Sequence, residues 1–541
     1  MKNAFKTFGT MIDCSRNAVM TADTVKRWID LTAGLGFNTL QLYMEDTYEV
    51  DENPYFGHLR GRYSKAELKE IDAYAAAHQV QVIPCIQTLA HVNALFHWPV
   101  YREIHDAADI LLTGDERTYA LVERMFRTLR ECLRTNVINI GMDEADLLGL
   151  GKYLTLHGYR DRFGILMEHL RRVSEMAKKY GFELLMWGDM FFRLAGGDYF
   201  TNFNQNPKLG EIPEELKRLV PENIHLVYWD YFSRDQQRYE RNIDAHNAIK
   251  SGSWFAGGLW TWAGFAPHNL FSIRTMREAM KACRVKKVEN VVMTMWGDNG
   301  AECSKFAILP SLFTVSQMAE GIEDEAVIRE NFEKKFGIPF EAFLALDLTG
   351  TQNASSEEIY NPEKYLLYCD PFMGQFDNRV RPGEGANYAD CAARLAKYES
   401  HAEYGYLFRS LRTLCDFLSV KAELGIRTRA AYKSGDKEAA KALCADYDEA
   451  AERLDAFYTA YEQQWMHENK PQGFDVIDLR LGGQRQRLLH CRDRLLAYAE
   501  GRLDRLEELE EPVLDCGCEE NADGQAMRAI FWHEIATANV V

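Results

Sequence analysis

Short apolar runs recur along the first 298 residues, and between them the apolar positions fall at helical spacing. AFKTFGTMIDC (4–14) predicts a first strand. A helix over 21–35 follows, with Val25, Trp28 and Ile29 on one face and Gly36 ending it. NTLQLYM (38–44) predicts a second strand, and Ser64 with Glu67 makes a capping-box pattern that opens a helix through Leu68, Ile71 and Ala75. VQVIPCIQ (80–87) predicts a third strand, followed by a helix marked by Val122, Met125, Phe126, Leu129 and Leu133. The run beginning at Asn136 is a fourth strand, and Phe163, Leu166, Met167, Leu170, Val173 and Ala177 place a helix that stops at Gly181. FELLMWGDM (182–190), IHLVYWDYF (224–232), WFAGGLWTW (254–262) and NVVMTMWGD (290–298) predict strands five to eight, with a helix over about 306–318 behind them.

These strands are continuously apolar rather than alternating, which is the pattern of parallel strands buried on both faces. Eight such units within 1–320 predict a (β/α)8 barrel, an architecture that takes about 250 residues plus insertions. Residues 321–541 read differently. Charged stretches with helical apolar spacing at 402–433, 437–462 and 477–510 predict a mainly α-helical domain that packs on the barrel or forms a dimer contact. The segment 346–365 reads as a loop.

Charge and composition narrow the partners. The net charge is −18 and the pI near 5.4, which argues against a phosphate backbone or an anionic membrane as partner. No apolar run is long enough for a transmembrane helix, and the first twenty residues hold no leader-like apolar stretch, so a cytoplasmic protein is expected. The cysteines are scattered, with only Cys516 and Cys518 close together, which reads as loop thiols rather than a disulfide framework or a metal ligand set.

In a barrel of this kind the chemistry sits at the C-terminal ends of the strands. Those ends read DCSR, YMEDTYE, QTLAH, GMDEAD, WGDM, YWDY, LWTW and WGDN, rich in acids and aromatics. Sugar rings carry apolar C–H faces and a rim of hydroxyls; indoles cover the first, and carboxylates with Arg grip the second. Trp187, Trp260 or Trp262, and Trp296 on successive strands predict a pocket wall. Asp143 and Glu144 stand side by side where the fourth strand ends. On a regular strand they would face opposite ways, but past Gly141 the chain can leave the pleat and turn both over the mouth. Two nearby acids can split their pKa values, one ionised and one protonated, as glycosidic cleavage requires.

GMDEA at strand four, DCSR at strand one, QTLAH at strand three and WGDNGAECS at strand eight resemble glycoside hydrolase family 20, the β-N-acetylhexosaminidases, and the bacterial exo-β-N-acetylglucosaminidase branch with a helical domain behind the barrel in particular. Many members carry a further N-terminal α/β domain, whereas strand one here lies within the first fifteen residues. The resemblance implies exo-acting, retaining hydrolysis of a terminal GlcNAc or GalNAc in an oligosaccharide or glycoconjugate. The substrate's own acetamido oxygen displaces the aglycone, without a cofactor or metal. It implies Glu144 as general acid and base and Asp143 as partner of the acetamido N–H. Tyr228 would donate to the acetamido oxygen, and Trp187, Trp262 and Trp296 would enclose the sugar, with Trp260 the alternative to Trp262. Arg16, Asp230 and Asp298 would bind hydroxyls, while His91 with Asp46, or Glu45 in its place, would orient Glu144. Three other readings stay open. One is a barrel glycosidase using Asp189 or Asp230 as nucleophile, another a non-catalytic sugar-binding protein, and the third a metalloenzyme built on His91. No nucleic-acid or membrane partner is expected, and the long C-terminal helices are compatible with a homodimer.

Overall fold

The computed structural model describes residues 4–196, 214–351, 359–515 and 532–539. Eight parallel strands close on themselves in chain order: β1 (Thr7–Asp13), β2 (Thr39–Tyr43), β3 (Gln81–Cys85), β4 (Val137–Asn139), β5 (Glu183–Trp187), β6 (Ile224–Trp229), β7 (Trp254–Gly258) and β8 (Asn290–Met295). β8 closes the barrel on β1, with Thr7 opposite Asn290 and Ile12 opposite Met295. Among the described residues no strand follows β8, and the chain continues as helices. The sequence-based expectation of a (β/α)8 barrel followed by a mainly helical region is met.

The local signals act as their chemistry predicts. Thr21 caps the helix Ala22–Ala33 by accepting from the Thr24 N–H, and Val25, Trp28 and Ile29 are fully buried against the barrel. Ser64 and Glu67 form a complete capping box on the helix Lys65–Ala77. The helix Arg162–Lys179 buries the apolar stripe read from the sequence and ends before Gly181, at φ +73°. Strand ends fall short of the apolar runs because the last residues of each run belong to the mouth rather than to the sheet. In the second half, the helices Gly405–Lys421, Leu424–Ser434, Lys437–Glu468 and Phe474–Ala499 pack on one another. The segment read as a loop over 346–365 is partly helical: Phe340–Asp347 ends within it and Pro362–Tyr368 lies at its far end. Pro362 stands in the first helical turn, where its missing N–H costs nothing, and that helix is buried along its whole length. Cys516 and Cys518 lie outside the described residues. No helix among the described residues is long and apolar enough to cross a membrane.

β4 is the shortest strand, and its end sets up the mouth. It meets β3 at a single pair, Cys85 with Asn139. Two residues later the backbone turns left-handed at Gly141 (φ +72°) and Met142 (φ +67°), and again at Glu144 (φ +51°). Gly141 has no room for a side chain, since a Cβ there would stand 2.0 Å from Gln87 Oε1.

Gly141 and Gly181 therefore separate two costs, because Gly181 shares the left-handed φ but a Cβ on it would meet nothing within 4 Å. Gly181→Ala is expected to lose about 1 kcal/mol in urea unfolding from backbone strain alone. Gly141→Ala should lose clearly more, and should also cut turnover by displacing Gln87. Equal losses for the two would contradict this account of the β4 turn.

Candidate active site

A pocket with about 640 Å³ of open space, mouth included, lies over the C-terminal end of the barrel. Every strand contributes to its lining. Arg16 comes from the end of β1, Tyr43 from β2, His91 from beyond β3, Asp143 and Glu144 from beyond β4, and Trp187 from β5. Trp229, Tyr231 and Phe232 come from β6 and the residues just after it, Trp262 from beyond β7, and Trp296 and Asp298 from beyond β8. This is the face where the fold collects side chains from separate strands into one site.

The two adjacent acids share this pocket because the chain is no longer a strand when it reaches them. The positive φ values at Gly141, Met142 and Glu144 break the two-residue alternation that would have sent them to opposite faces. Gln87 pins the turn: its Oε1 accepts the Met142 N–H at 3.1 Å, and its Nε2 donates to Asp143 Oδ1 at 2.7 Å and to the Tyr43 hydroxyl at 2.9 Å. From the other side the Glu144 N–H donates to Asp189 Oδ2 at 3.0 Å. His91 stands between the acids, its Nε2 3.3 Å from Asp143 Oδ2 and 3.7 Å from Glu144 Oε2, while its Nδ1 faces Asp109 at 3.5 Å. Arg193 reaches Glu144 Oε1 at 3.3 Å, Asp146 at 2.7 Å and Asp189 at 3.2 Å.

This arrangement drives the acids apart in protonation. Burial opposes charge on Asp143, but the His91 charge and hydrogen bonds from His91 and Gln87 outweigh it and hold the carboxyl below the usual Asp value. Burial, and then the Asp143 charge, raise Glu144 above the usual Glu value, with His91 and Arg193 opposing. Burial also works against charge on His91, yet Asp143 pushes its pKa up to about 10, so the ring is an imidazolium at neutral pH. Burial and the Asp143 charge lift Asp189 to about 7. The outcome is one carboxyl held below its usual range beside one held above its own.

The wall opposite is aromatic. Trp187 and Trp296 lie 5.9 Å apart at 51°, and Tyr231 stands edge-on to Trp262 at 5.6 Å and to Trp296 at 6.5 Å. Trp262 faces the pocket, while Trp260 stacks behind it at 4.0 Å and donates from its indole to the Tyr231 carbonyl. Arg16 pairs with Glu45 at 3.1 Å on the β1–β2 side, and Glu45 also accepts from the Tyr43 hydroxyl at 3.1 Å. The Arg16 charge acts on Asp298 as well, against the upward effect of burial there.

Three residues expected here lie elsewhere. Tyr228 points away from the pocket, towards the helix Gln236–Ile249; it accepts from Asn242 Nδ2 at 3.0 Å and donates to Asp230 Oδ2 at 3.0 Å. Asp230 shares that outward face, takes the N–H groups of Phe232 and Ser233, and stands 3.3 Å from Arg238. Alternation carried to Tyr231 is the reason: Trp229 and Tyr231 have the inward parity and Tyr228 and Asp230 the outward one, while Phe232, past the end of β6, reaches the pocket outside that pattern. Asp46 likewise pairs with Arg60 at 2.9 Å, away from the pocket, and Glu45 takes the inward place. The structure adds Gln87, Tyr231 and Arg193 to the site, and sets Asp189, fully buried, beneath the Glu144 amide. Gln87 and Tyr231 sit inside strand-end stretches visible in the sequence as QTLAH and YWDY, whereas nothing in the sequence singles out Arg193, one helical turn beyond Asp189.

The chain is similar to known glycoside hydrolases. The profile for the glycosyl hydrolase family 20 catalytic domain matches residues 5–302, and that for the Glycoside Hydrolase 20C C-terminal domain matches residues 339–528. Hexosaminidase D of Bos taurus is 25% identical over 344 residues, covering 58% of this chain and 90% of its own. Hexosaminidase D of Homo sapiens is 27% identical over 235 residues, covering 40% of this chain and 42% of its own. Among solved structures, the family 20 exo-β-N-acetylglucosaminidase of Vibrio harveyi in complex with N-acetylglucosamine is 13% identical, with a TM-score of 0.44, covering 65% of this chain and 60% of that one. The catalytic profile alone spans more than half of the sequence, and the chain belongs to glycosyl hydrolase family 20, as a glycoside hydrolase whose helical C-terminal region is of the 20C type.

Proposed function

We propose that this glycoside hydrolase is an exo-acting β-N-acetylhexosaminidase that releases a non-reducing terminal GlcNAc, or GalNAc, from an oligosaccharide or glycoconjugate. The observation that carries the reading is the pair Asp143 and Glu144, turned onto one indole-walled pocket with opposite leanings in protonation. Arg16 and Asp298 both line the pocket and face one another electrostatically, a pair suited to the outer hydroxyls of a terminal sugar, which supports exo action.

Glu144 donates its proton to the glycosidic oxygen as the bond to C1 breaks. The acetamido oxygen of the same sugar attacks C1, giving an oxazolinium ion and the free aglycone. Asp143, kept ionised by Gln87 and His91, accepts the acetamido N–H and stabilises the positive charge that develops there. Tyr231, rather than Tyr228, is placed to donate its hydroxyl to the acetamido oxygen, and burial keeps that phenol protonated. Trp187, Trp262 and Trp296 enclose the ring and the acetamido group. Arg16 and Asp298 bind its outer hydroxyls, with Glu45 holding Arg16 in place. Water then enters, Glu144 takes its proton, and attack at C1 opens the oxazolinium with net retention. Because the substrate supplies the nucleophile, the spacing rule for two enzyme carboxylates does not govern this site.

The reading with an enzyme nucleophile is disfavoured by placement. Asp189 is fully buried beneath the Glu144 amide, and Asp230 faces the helix side. The described cysteines are unpaired thiols, all but Cys391 buried, which supports a reducing, cytoplasmic setting.

Glu144→Gln is expected to lose about 10²–10⁴-fold in kcat/KM on an alkyl N-acetyl-β-glucosaminide, and much less on a dinitrophenyl glycoside whose leaving group needs no proton. Equal rates for parent and variant on the alkyl substrate would exclude the assigned role. Replacing the substrate's N-acetyl group by hydroxyl should all but abolish turnover; persistence would favour a nucleophile from the protein. The pH profile of kcat/KM should be a bell. Asp143 must be ionised, and its lowered pKa carries the acid limb below the usual aspartate range. Glu144 must be protonated, and its raised pKa carries the alkaline limb above the usual glutamate range. Gln87→Leu removes a hydrogen bond to the ionised Asp143, so its acid limb should move to higher pH.

A further inference from the structure

Trp296 and Asp298, two of the pocket residues, lie at the start of a turn that ends in a residue of unfavourable backbone geometry. Ala301 is in the left-handed region at φ +53°, and its N–H closes on the Gly297 carbonyl at 2.6 Å. The start of the turn is held within the barrel, where the Gly297 N–H donates to Asp13 Oδ2 at 2.8 Å and the Trp296 carbonyl accepts from Thr261 Oγ1 at 2.8 Å and Lys305 Nζ at 2.7 Å; its far end is held from outside the barrel. The Asn299 carbonyl accepts from Lys364 Nζ at 3.2 Å and from Arg480 Nη1 at 3.1 Å. The same two cations grip the Glu302 carboxylate, Lys364 at 2.6 Å and Arg480 at 3.3 Å, while the Tyr461 hydroxyl donates to the Glu302 carbonyl at 3.0 Å. Lys364 is wholly buried and Glu302 nearly so. The Trp532 ring covers both cations, with Lys364 Nζ 4.3 Å and the Arg480 guanidinium carbon 5.3 Å from its centroid. Arg480 is tethered in turn by Asn539 Oδ1 at 2.8 Å.

Charges taken out of water give little net stability, because desolvation offsets their attraction. Such a cluster does impose geometry, since both cations must meet the same carbonyl and the same carboxylate at once. We infer that Lys364 and Arg480, from the helical region, are positioning residues for the sugar-binding side of the pocket: by clamping Asn299 and Glu302 they fix where Asp298, between the barrel-held Gly297 and the clamped Asn299, stands relative to Arg16. The inference rests on the proposed reading of Asp298 as a ligand to a sugar hydroxyl. On this account the helical region acts on ground-state recognition of the terminal sugar, while Asp143 and Glu144 are supported from β3 and β5 and stay unaffected.

The full-length protein is assayed with a nitrophenyl N-acetyl-β-glucosaminide, well below the unfolding temperature of each variant. Arg480→Gln is expected to raise KM about 10-fold with kcat within about 3-fold of the parent, the signature of lost uniform binding. In an Asp298→Ala background the same change should move KM by less than about 2-fold, because residues that act through one another are non-additive. A merely structural Arg480 would lower the unfolding temperature without that coupling. An unchanged KM in Arg480→Gln, or the same KM rise with and without Asp298, overturns the inference. Should Arg480→Gln not fold, Arg480→Lys carries the comparison: it keeps the charge but loses the two-pronged grip, and is expected to give an intermediate KM rise. An unchanged KM there counts against the clamp. A folded parent that fails to turn over the glucosaminide removes the proposed function and the inference with it, whereas a competent parent with uncoupled variants removes the inference alone.

Discussion

The site depends on the Asp143 carboxylate being held charged where it is buried at the floor of the pocket. An unpaired buried carboxylate would take up a proton, and the pocket would then have two neutral acids and no anion. Gln87 and His91 prevent this from opposite sides, each with a donor aimed at a different oxygen. Gln87 also takes the Met142 N–H, so the group that stabilises the charge fixes the turn that presents it. Glu144 inherits its leaning from the same source, because a fixed negative charge next door makes its own ionisation harder. Division of labour between two identical functional groups thus arises from backbone geometry and donor placement.

The mouth is braced from behind by the helical region at two loops. Glu363, buried and lifted to about 8 by that burial, leaves no room for a side chain at Gly264, where a Cβ would stand 2.2 Å from its carboxylate oxygen. Asn361 donates to the Ala263 carbonyl at 2.8 Å, so the loop carrying Trp262 is held next to its aromatic residue. Asp347 accepts from Asn269 and the Leu270 N–H at the start of the following helix. With the Lys364–Arg480 cluster on Asn299 and Glu302, the loop after β7 and the far end of the β8 turn rest on partners that lie beyond the barrel in sequence. The β3, β4 and β5 side, where the acids stand, is supported within the barrel.

How much of this is legible in the sequence follows from how local each determinant is. Eight apolar runs, the Ser64–Glu67 capping box and the stripe on Arg162–Lys179 are decided by neighbours a few residues away, and each stands in the structure where its pattern places it. Asp143 with Glu144, His91, Arg16, Trp187, Trp262, Trp296 and Asp298 can be gathered because the barrel sends all strand ends to one face. Parity is where the pattern runs out. Trp229 and Tyr231 face inward in place of Tyr228 and Asp230, and Glu45 in place of Asp46, because a run with apolar residues on both faces carries no alternation to count from. The helix Pro362–Tyr368 escapes detection for a related reason: buried on every side, it shows no amphipathic period.

The amino-acid sequence alone determined the succession of strands and helices, the closure into a barrel with a helical region behind it, and the chemical character of the mouth. These follow from residue type and near-neighbour spacing. Tertiary structure alone decided which member of each adjacent pair enters the pocket, that Gln87 and His91 keep Asp143 ionised, and that cations from the helical region hold the far end of the β8 turn. Those outcomes depend on donors and acceptors meeting across the fold at hydrogen-bond distance, and no local pattern encodes such a meeting.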